Sequence, residues 1–224
     1  MFKTEPHLHT AEVSPCSHLG AAEMIRHYAK AGYRTVFVSD HLKRRYFDAL
    51  GEKSPKEQLE SFFRGYELAR ETGQRLGLIV LPSAELSLDC SPNHYLLYGF
   101  TLDFFLAKRD LFSMTARELC DYAHENGVTV VQAHPYRDGK TEPDVAGIDA
   151  LEVHNPNPRH ENYTVRALAY AEAHGLAITC GSDAHRLEDI ARGGVLTEEE
   201  IRTPDDYVRL LKQRRLKLIG WEGV

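Results

Sequence analysis

No apolar run in this chain of 224 residues approaches the roughly 20 residues that a membrane-spanning helix requires. The first residues, Met1-Phe2-Lys3-Thr4-Glu5-Pro6, lack the apolar stretch of a secretion signal, so a cytoplasmic location is expected. Only four cysteines occur (Cys16, Cys90, Cys120 and Cys180), and no two form a CxxC pair, which argues against a zinc knuckle or a redox pair. Internal repeats, low-complexity tracts and long linkers are missing from the sequence. So is a long basic stripe. With a net charge of −6, neither nucleic acid nor a membrane surface is the expected partner, although a local basic pocket is compatible with that balance. No large insertion interrupts residues 41–85 or 95–134, so residues 1–224 are expected to form one domain with no separate cap.

Histidine, by contrast, is abundant, with twelve in the chain. The framework around these histidines alternates short apolar runs with helical patterns, the signature of an α/β protein. Strands are expected at 34–38, 78–81, 95–98, 128–131, 148–153, 177–180 and 216–219. Helices are expected at 21–31, 56–72 and 162–174. A fourth opens at the capping box Thr115-Ala116-Arg117-Glu118 and stops at Gly127, and a last one starts at Thr203-Pro204.

His27, His124 and His174 fall within helices and read as solvated. His154 and His160 follow strand or loop patterns without a partner at diagnostic spacing. Six others stand at expected strand termini: His7, His9, His41, His94, His134 and His185. Glu85 and Asp183 share that placement. In His7-Leu8-His9 and Asp183-Ala184-His185 the spacing i, i+2 turns both side chains to one side of an extended strand. Imidazole and carboxylate are ligands of zinc, manganese and iron. So many donors at strand ends exceed the needs of one ion and point to a multinuclear hydrolytic centre.

The ordered set resembles the PHP (polymerase and histidinol phosphatase) superfamily. The matching pieces are His7-Leu8-His9, Ser39-Asp40-His41, Ser83-Ala84-Glu85, Asn93-His94-Tyr95, Ala133-His134-Pro135 and Gly181-Ser182-Asp183-Ala184-His185. The resemblance implies a TIM-like, distorted seven-stranded βα barrel, with two or three divalent ions (zinc, manganese or iron) at the C-terminal ends of the strands. It implies that His7, His9, Glu85 and Asp183 hold one ion. Glu85, bridging, joins His94 and His134 on a second, and His41 and His185 hold a third. A last ligand for that third ion is expected from the loop after His9, where the family places an Asp or His. Here the loop offers Glu12, Cys16 and His18.

The chemistry expected of such a centre is hydrolysis of a phosphoester by a metal-bridging hydroxide. Asp183, His185 and His41 are the candidate catalytic residues, with His185 or His41 delivering a proton to the leaving group. Arg137 and Arg159 are candidate phosphate clamps, since guanidinium suits bidentate phosphate recognition. Arg186 and the run Lys43-Arg44-Arg45 also follow ligand positions. The expected partner is a small phosphorylated metabolite, such as histidinol phosphate or a nucleotide. Specificity is expected from the short loops 42–55, 87–94, 136–146 and 154–162. One alternative is a carbon–nitrogen hydrolase of the amidohydrolase type, which commonly needs a bridging lysine where this chain has Asp40-His41 and Glu85. Another is a non-catalytic metal-binding regulatory domain.

Overall fold

A computed structural model describes residues 1–144 and 147–222. The chain begins with β1 (Phe2–Leu8), α1 (Ala21–Lys30), β2 (Thr35–Val38), β3 (His41–Leu42), α2 (Arg44–Ala49), α3 (Pro55–Phe62) and α4 (Arg64–Leu76). It continues through β4 (Ile79–Pro82), β5 (Ala84–Ser87), β6 (His94–Tyr98), α5 (Leu102–Ala107), α6 (Ala116–Glu125) and β7 (Thr129–Ala133). The last elements are β8 (Ala150–His154), α7 (Thr164–Ala173), β9 (Ala177–Cys180), β10 (Val195–Thr197), α8 (Pro204–Lys212) and β11 (Lys217–Leu218). The fold is mixed α/β. No helix among the described residues is long and apolar enough to cross a membrane.

The strands form two sheets. One runs β11-β10-β1-β2-β4, the other β3-β5-β6-β7-β8-β9. On one flank the chain steps directly from β2 to β3 and from β4 to β5, so each pair carries one line of the backbone from sheet to sheet. On the other flank a parallel bridge joins Leu8 to Ala184. The pairings β1–β2, β2–β4, β3–β5, β7–β8 and β8–β9 are parallel. Strand β6 departs from this pattern and runs antiparallel to both β5 and β7. Its first residue, His94, therefore pairs with Ser87 and Ala133 at the C-terminal ends of its neighbours.

Between α1, α4 and the first sheet lie Leu8, Met24, Ile25, Tyr28, Val36, Val38, Ala69 and Val80. Each large apolar side chain in such a layer stabilises the fold by roughly 1.5–3 kcal/mol. A second cluster holds Phe37, Tyr98 and Tyr207, with the Tyr98 and Tyr207 ring centroids 4.8 Å apart. The buried Tyr98 hydroxyl donates to the Pro6 carbonyl, 3.1 Å away, and so ties β6 to the strand that carries His7.

The helix expected over 56–72 is two helices, α3 and α4, separated at Phe63. The break lets α4 start where Gly65 lies against the loop after His9. A Cβ there would stand 2.0 Å from Thr10 Oγ1 and 2.7 Å from Asp40 Oδ2. The loop expected over 42–55 contains α2. Residues 145 and 146, at the end of the loop expected over 136–146, lie outside the described residues.

Candidate metal centre

β1 ends by delivering His7, and His9 follows two residues later; both are fully buried. Their Nε2 atoms lie 3.0 Å apart. The next turn is held by Asp40, whose Oδ1 accepts from Thr10 N at 2.7 Å and Ser14 Oγ at 2.8 Å, while Oδ2 accepts from Thr10 Oγ1 at 2.7 Å. Burial pushes the Asp40 carboxyl up to about 6, against the pull of these hydrogen bonds. Asp40 thus shapes the loop, while its neighbour His41 points into the cluster.

Glu85 lies at the centre of the group. Its Oε1 is 2.9 Å from His134 Nε2, 3.0 Å from His94 Nδ1 and 3.6 Å from His7 Nε2. Its Oε2 is 2.5 Å from His41 Nδ1 and 3.8 Å from His9 Nε2. Asp183 Oδ1 lies 3.0 Å from His9 Nε2 and 3.4 Å from His7 Nε2. His185 Nε2 stands 3.4 Å from His41 Nε2. Three triads result, each with ligand atoms within 4.8 Å of one another: His7-His9-Glu85, Glu85-His94-His134 and His9-His41-His185.

The donor set fits divalent cations. Glu85 Oε2, Asp183 Oδ1, His41 Nδ1 and His134 Nδ1 are buried, yet make no hydrogen bond among the described residues. Three of them are within 3.0 Å of another polar atom without a proton aligned between, as groups converging on a common cation would be. The charge balance agrees. Burial opposes a charge on His7, but Glu152, Asp183 and Glu85 outweigh it and raise its pKa to about 10. The carboxylates therefore call for positive charge at that spot, which a divalent ion would supply. Glu85 and Asp183 are held well below the usual carboxylate range despite burial, by His94 and His41 in one case and by Arg137 and His7 in the other. Burial and the Arg137 charge hold His134 down to about 3, leaving the neutral imidazole that ligation needs.

Two of these residues adopt left-handed backbone, His134 at φ 31° and Asp183 at φ 49°. Such conformations cost about 1–3 kcal/mol each and persist where their surroundings hold them. Here Glu152 Oε2 accepts from His134 N at 3.0 Å, and Asn157 Nδ2 donates to the Asp183 carbonyl at 3.1 Å.

The loop after His9 separates its three candidates. Cys16 Sγ lies 3.2 Å from His41 Nε2. Burial pushes this thiol up, but hydrogen bonds to His185 and His41 prevail and bring it down to about 5. The structure does not bring Glu12 into the cluster. Its carboxylate accepts from Ala21 N at 2.9 and 3.1 Å, capping α1 in place of Gly20, which offers no side chain. His18 is exposed, and its backbone N–H donates to the His185 carbonyl at 2.8 Å.

A cavity of about 240 Å³ opens on the cluster. Arg137 and Arg159 both line it, as do Lys43, Arg186, Asn157 and His160. Arg137 Nη2 reaches Asp183 Oδ2 at 2.7 Å. Arg159 forks onto Asp189, which also accepts from His185 N at 2.9 Å and Arg186 N at 2.8 Å. Among the remaining histidines, His124 pairs with Asp149 and His160 with Asp138, both outside the three triads.

Two carboxylates escape a reading based on strand ends. Glu152 Oε1 lies 2.9 Å from His7 Nδ1. Glu5 accepts from His7 N at 2.9 Å, Ser182 N at 3.0 Å and Tyr28 Oη at 2.9 Å. Both interrupt runs that are otherwise strand-like, and a charge in mid-strand is the signal that marks them. Glu5 also shares the face of His7 and His9 by alternation.

A PHP-associated family model (PHP_C) matches residues 162–216. No curated protein matches the chain. Among solved structures, PsfC from Pseudomonas syringae is 19% identical, with a TM-score of 0.71 over 99% of this chain and 92% of that one. A two-domain protein from Bacteroides vulgatus containing a predicted PHP-like metal-dependent phosphoesterase is 15% identical, with a TM-score of 0.70 over 97% of this chain. This chain spans 64% of the length of that protein. The lesion-specific endonuclease PfuEndoQ from Pyrococcus furiosus is 17% identical, with a TM-score of 0.66 over 95% of this chain and 56% of that one. The family match covers about a quarter of the chain, and the likeness to these solved structures shows a shared fold. The three triads of His and Glu have the donor set and spacing that could hold divalent metal ions.

Proposed function

We propose that this chain is a metal-dependent phosphoesterase that hydrolyses a small phosphorylated metabolite. The observation that carries this reading is Glu85, one fully buried carboxylate shared by two of the three ligand triads. His7, His9, Glu85 and Asp183 would hold one ion, Glu85, His94 and His134 a second, and His41 and His185 a third. When bound, such ions supply Lewis acidity to phosphoryl oxygens and lower the pKa of water. Arg137 orients the phosphate from the cavity wall, and Lys43 and Arg186 add positive charge to the same cavity. If either is displaced from its ion, His41 or His185 would present an Nε2 atom able to hold the proton that the leaving alkoxide takes. Among the described residues, no tyrosine, phenylalanine or tryptophan lines the cavity. Its size and lining favour a compact phosphomonoester over a polymer.

The same reading takes β2 with β3 and β4 with β5 as two bent strands. The sheets then wrap as a distorted seven-stranded barrel, supported by the Leu8–Ala184 bridge. It also takes residues 1–224 as one domain without a separate cap.

Metal analysis of the purified protein, followed by a screen of phosphorylated metabolites with that metal restored, tests the proposal. Phosphate release that disappears in Asp183→Asn and His134→Ala is the expected result. Unchanged turnover in either variant overturns the mechanism, and full metal occupancy without any phosphate release overturns the function.

A further inference from the structure

The outer edge of the cluster differs chemically from its centre. His9, His41 and His185 bring nitrogen atoms within 4.8 Å of one another. Cys16 Sγ stands 3.2 Å from His41 Nε2, which is itself 3.4 Å from His185 Nε2. On the other side of the same ring, His41 Nδ1 is 2.5 Å from Glu85 Oε2, and neither atom makes a hydrogen bond. A fully buried carboxylate oxygen thus meets the group with no proton aligned between them.

The loop that carries Cys16 is held against both histidines. Ser14 Oγ accepts from His41 N at 3.1 Å and donates to Asp40 at 2.8 Å. Ser17 Oγ donates to the His185 carbonyl at 3.2 Å, and His18 N donates to the same oxygen at 2.8 Å. Residue 16 is therefore fixed from both sides, and Glu12 is engaged at the start of α1.

We propose that Cys16 Sγ completes an outer metal site with His41 and His185, and that this site takes a thiophilic ion such as zinc in preference to manganese. The inference rests on the metal-dependent reading above. A thiolate is a soft ligand that favours zinc and cobalt over manganese, whereas the triads around Glu85 offer only imidazole and carboxylate. The sulfur binds as the thiolate, so it carries no proton once the sulfur–metal bond has formed.

The test is titration of metal-stripped protein with cobalt(II), read by absorption. Tetrahedral or five-coordinate cobalt on the histidines gives visible d–d bands, and a cobalt–thiolate bond adds a near-ultraviolet charge-transfer band. The wild type should show both, and Cys90→Ser should keep both. Cys16→Ser and Cys16→Asp should lose the charge-transfer band and keep d–d bands. In competition with excess manganese, the wild type should retain one more zinc per chain than Cys16→Asp. Visible bands and phosphate release without a charge-transfer band in the wild type overturn this inference alone. Absence of both bands together with no bound cobalt by elemental analysis overturns it along with the metal-dependent function.

Discussion

His7 stands with a carboxylate at each ring nitrogen, and the one at Nδ1 is Glu152, 2.9 Å away. His7 Nε2 faces Asp183 at 3.4 Å and Glu85 at 3.6 Å. The second oxygen of Glu152 accepts from His134 N at 3.0 Å and Asn155 Nδ2 at 2.8 Å. A single side chain thus fixes the tautomer of one ligand and the backbone of another.

Replacing Glu152 by Gln should therefore weaken metal binding without unfolding the protein. Partners of this kind typically govern affinity by about 10–100-fold. A competition titration against a chelator measures the effect, with the melting temperature as control. Wild-type affinity in Glu152→Gln would show that Glu152 has no such role.

Arg137 binds Asp183 and lines the cavity, so its loss should tell in substrate binding. A charge-assisted hydrogen bond contributes about 1.5–3 kcal/mol. Arg137→Met should raise KM for a phosphomonoester by roughly tenfold to a hundredfold, with metal content unchanged. Arg137→Lys should recover part of the loss, since lysine keeps the charge but not the fork. An unaltered KM in Arg137→Met would remove Arg137 from the phosphate site.

Gly181 precedes the Asp183 turn in very tight quarters. A Cβ at this position would lie 2.5 Å from His7 Cβ and 2.6 Å from Glu152 Oε1. Gly181→Ala should destabilise the protein by about 1–3 kcal/mol through overpacking and should lower its metal content. Thermal denaturation and elemental analysis check the two effects; Gly32→Ala, strained at φ 77° but with no atom within 4 Å, should lose stability and keep its metal content.

Glu5 should give the protein a pH dependence of its own. Burial lifts its carboxyl from 4.5 to about 7, against its hydrogen bonds from Ser182, His7 and Tyr28. A pKa raised in the folded state means that the protonated form is favoured there. The stability contributed by this group is complete below its unfolded pKa and is lost as pH rises through about 7. Glutamine stays neutral throughout. The melting temperature of the wild type should fall relative to Glu5→Gln between about pH 5 and 8. Parallel profiles for the two proteins would contradict this account.

The ligands were legible in the sequence because each stands at or beside the end of a strand, where polar groups are free of the sheet's own packing. The direction of β6 was not, since residues 95–98 read as a buried strand whichever way they run. Helices α2 and α5 escaped notice because each is six residues long and has no side-chain cap. β10, three residues long, is too short to show a period. The competition between Glu12, Cys16 and His18 was not decidable from spacing alone. It depends on α1, whose start lacks a capping side chain at Gly20 and draws in Glu12. Glu5 and Glu152 lie in strand interiors, where spacing from a strand end carries no signal.

The reversed strand gives the cluster one ligand of a different mechanical kind. His94 opens its strand, where the other ligands close theirs or follow them. Its side chain is 26% exposed, against 11% for His41 and 4% for His134. The turn over residues 88–93 leads directly into it, whereas Tyr95 to Tyr98 are held in register by β5 and β7. One member of the Glu85-His94-His134 triad thus hangs from a surface turn, while its two partners hang from the strands beneath.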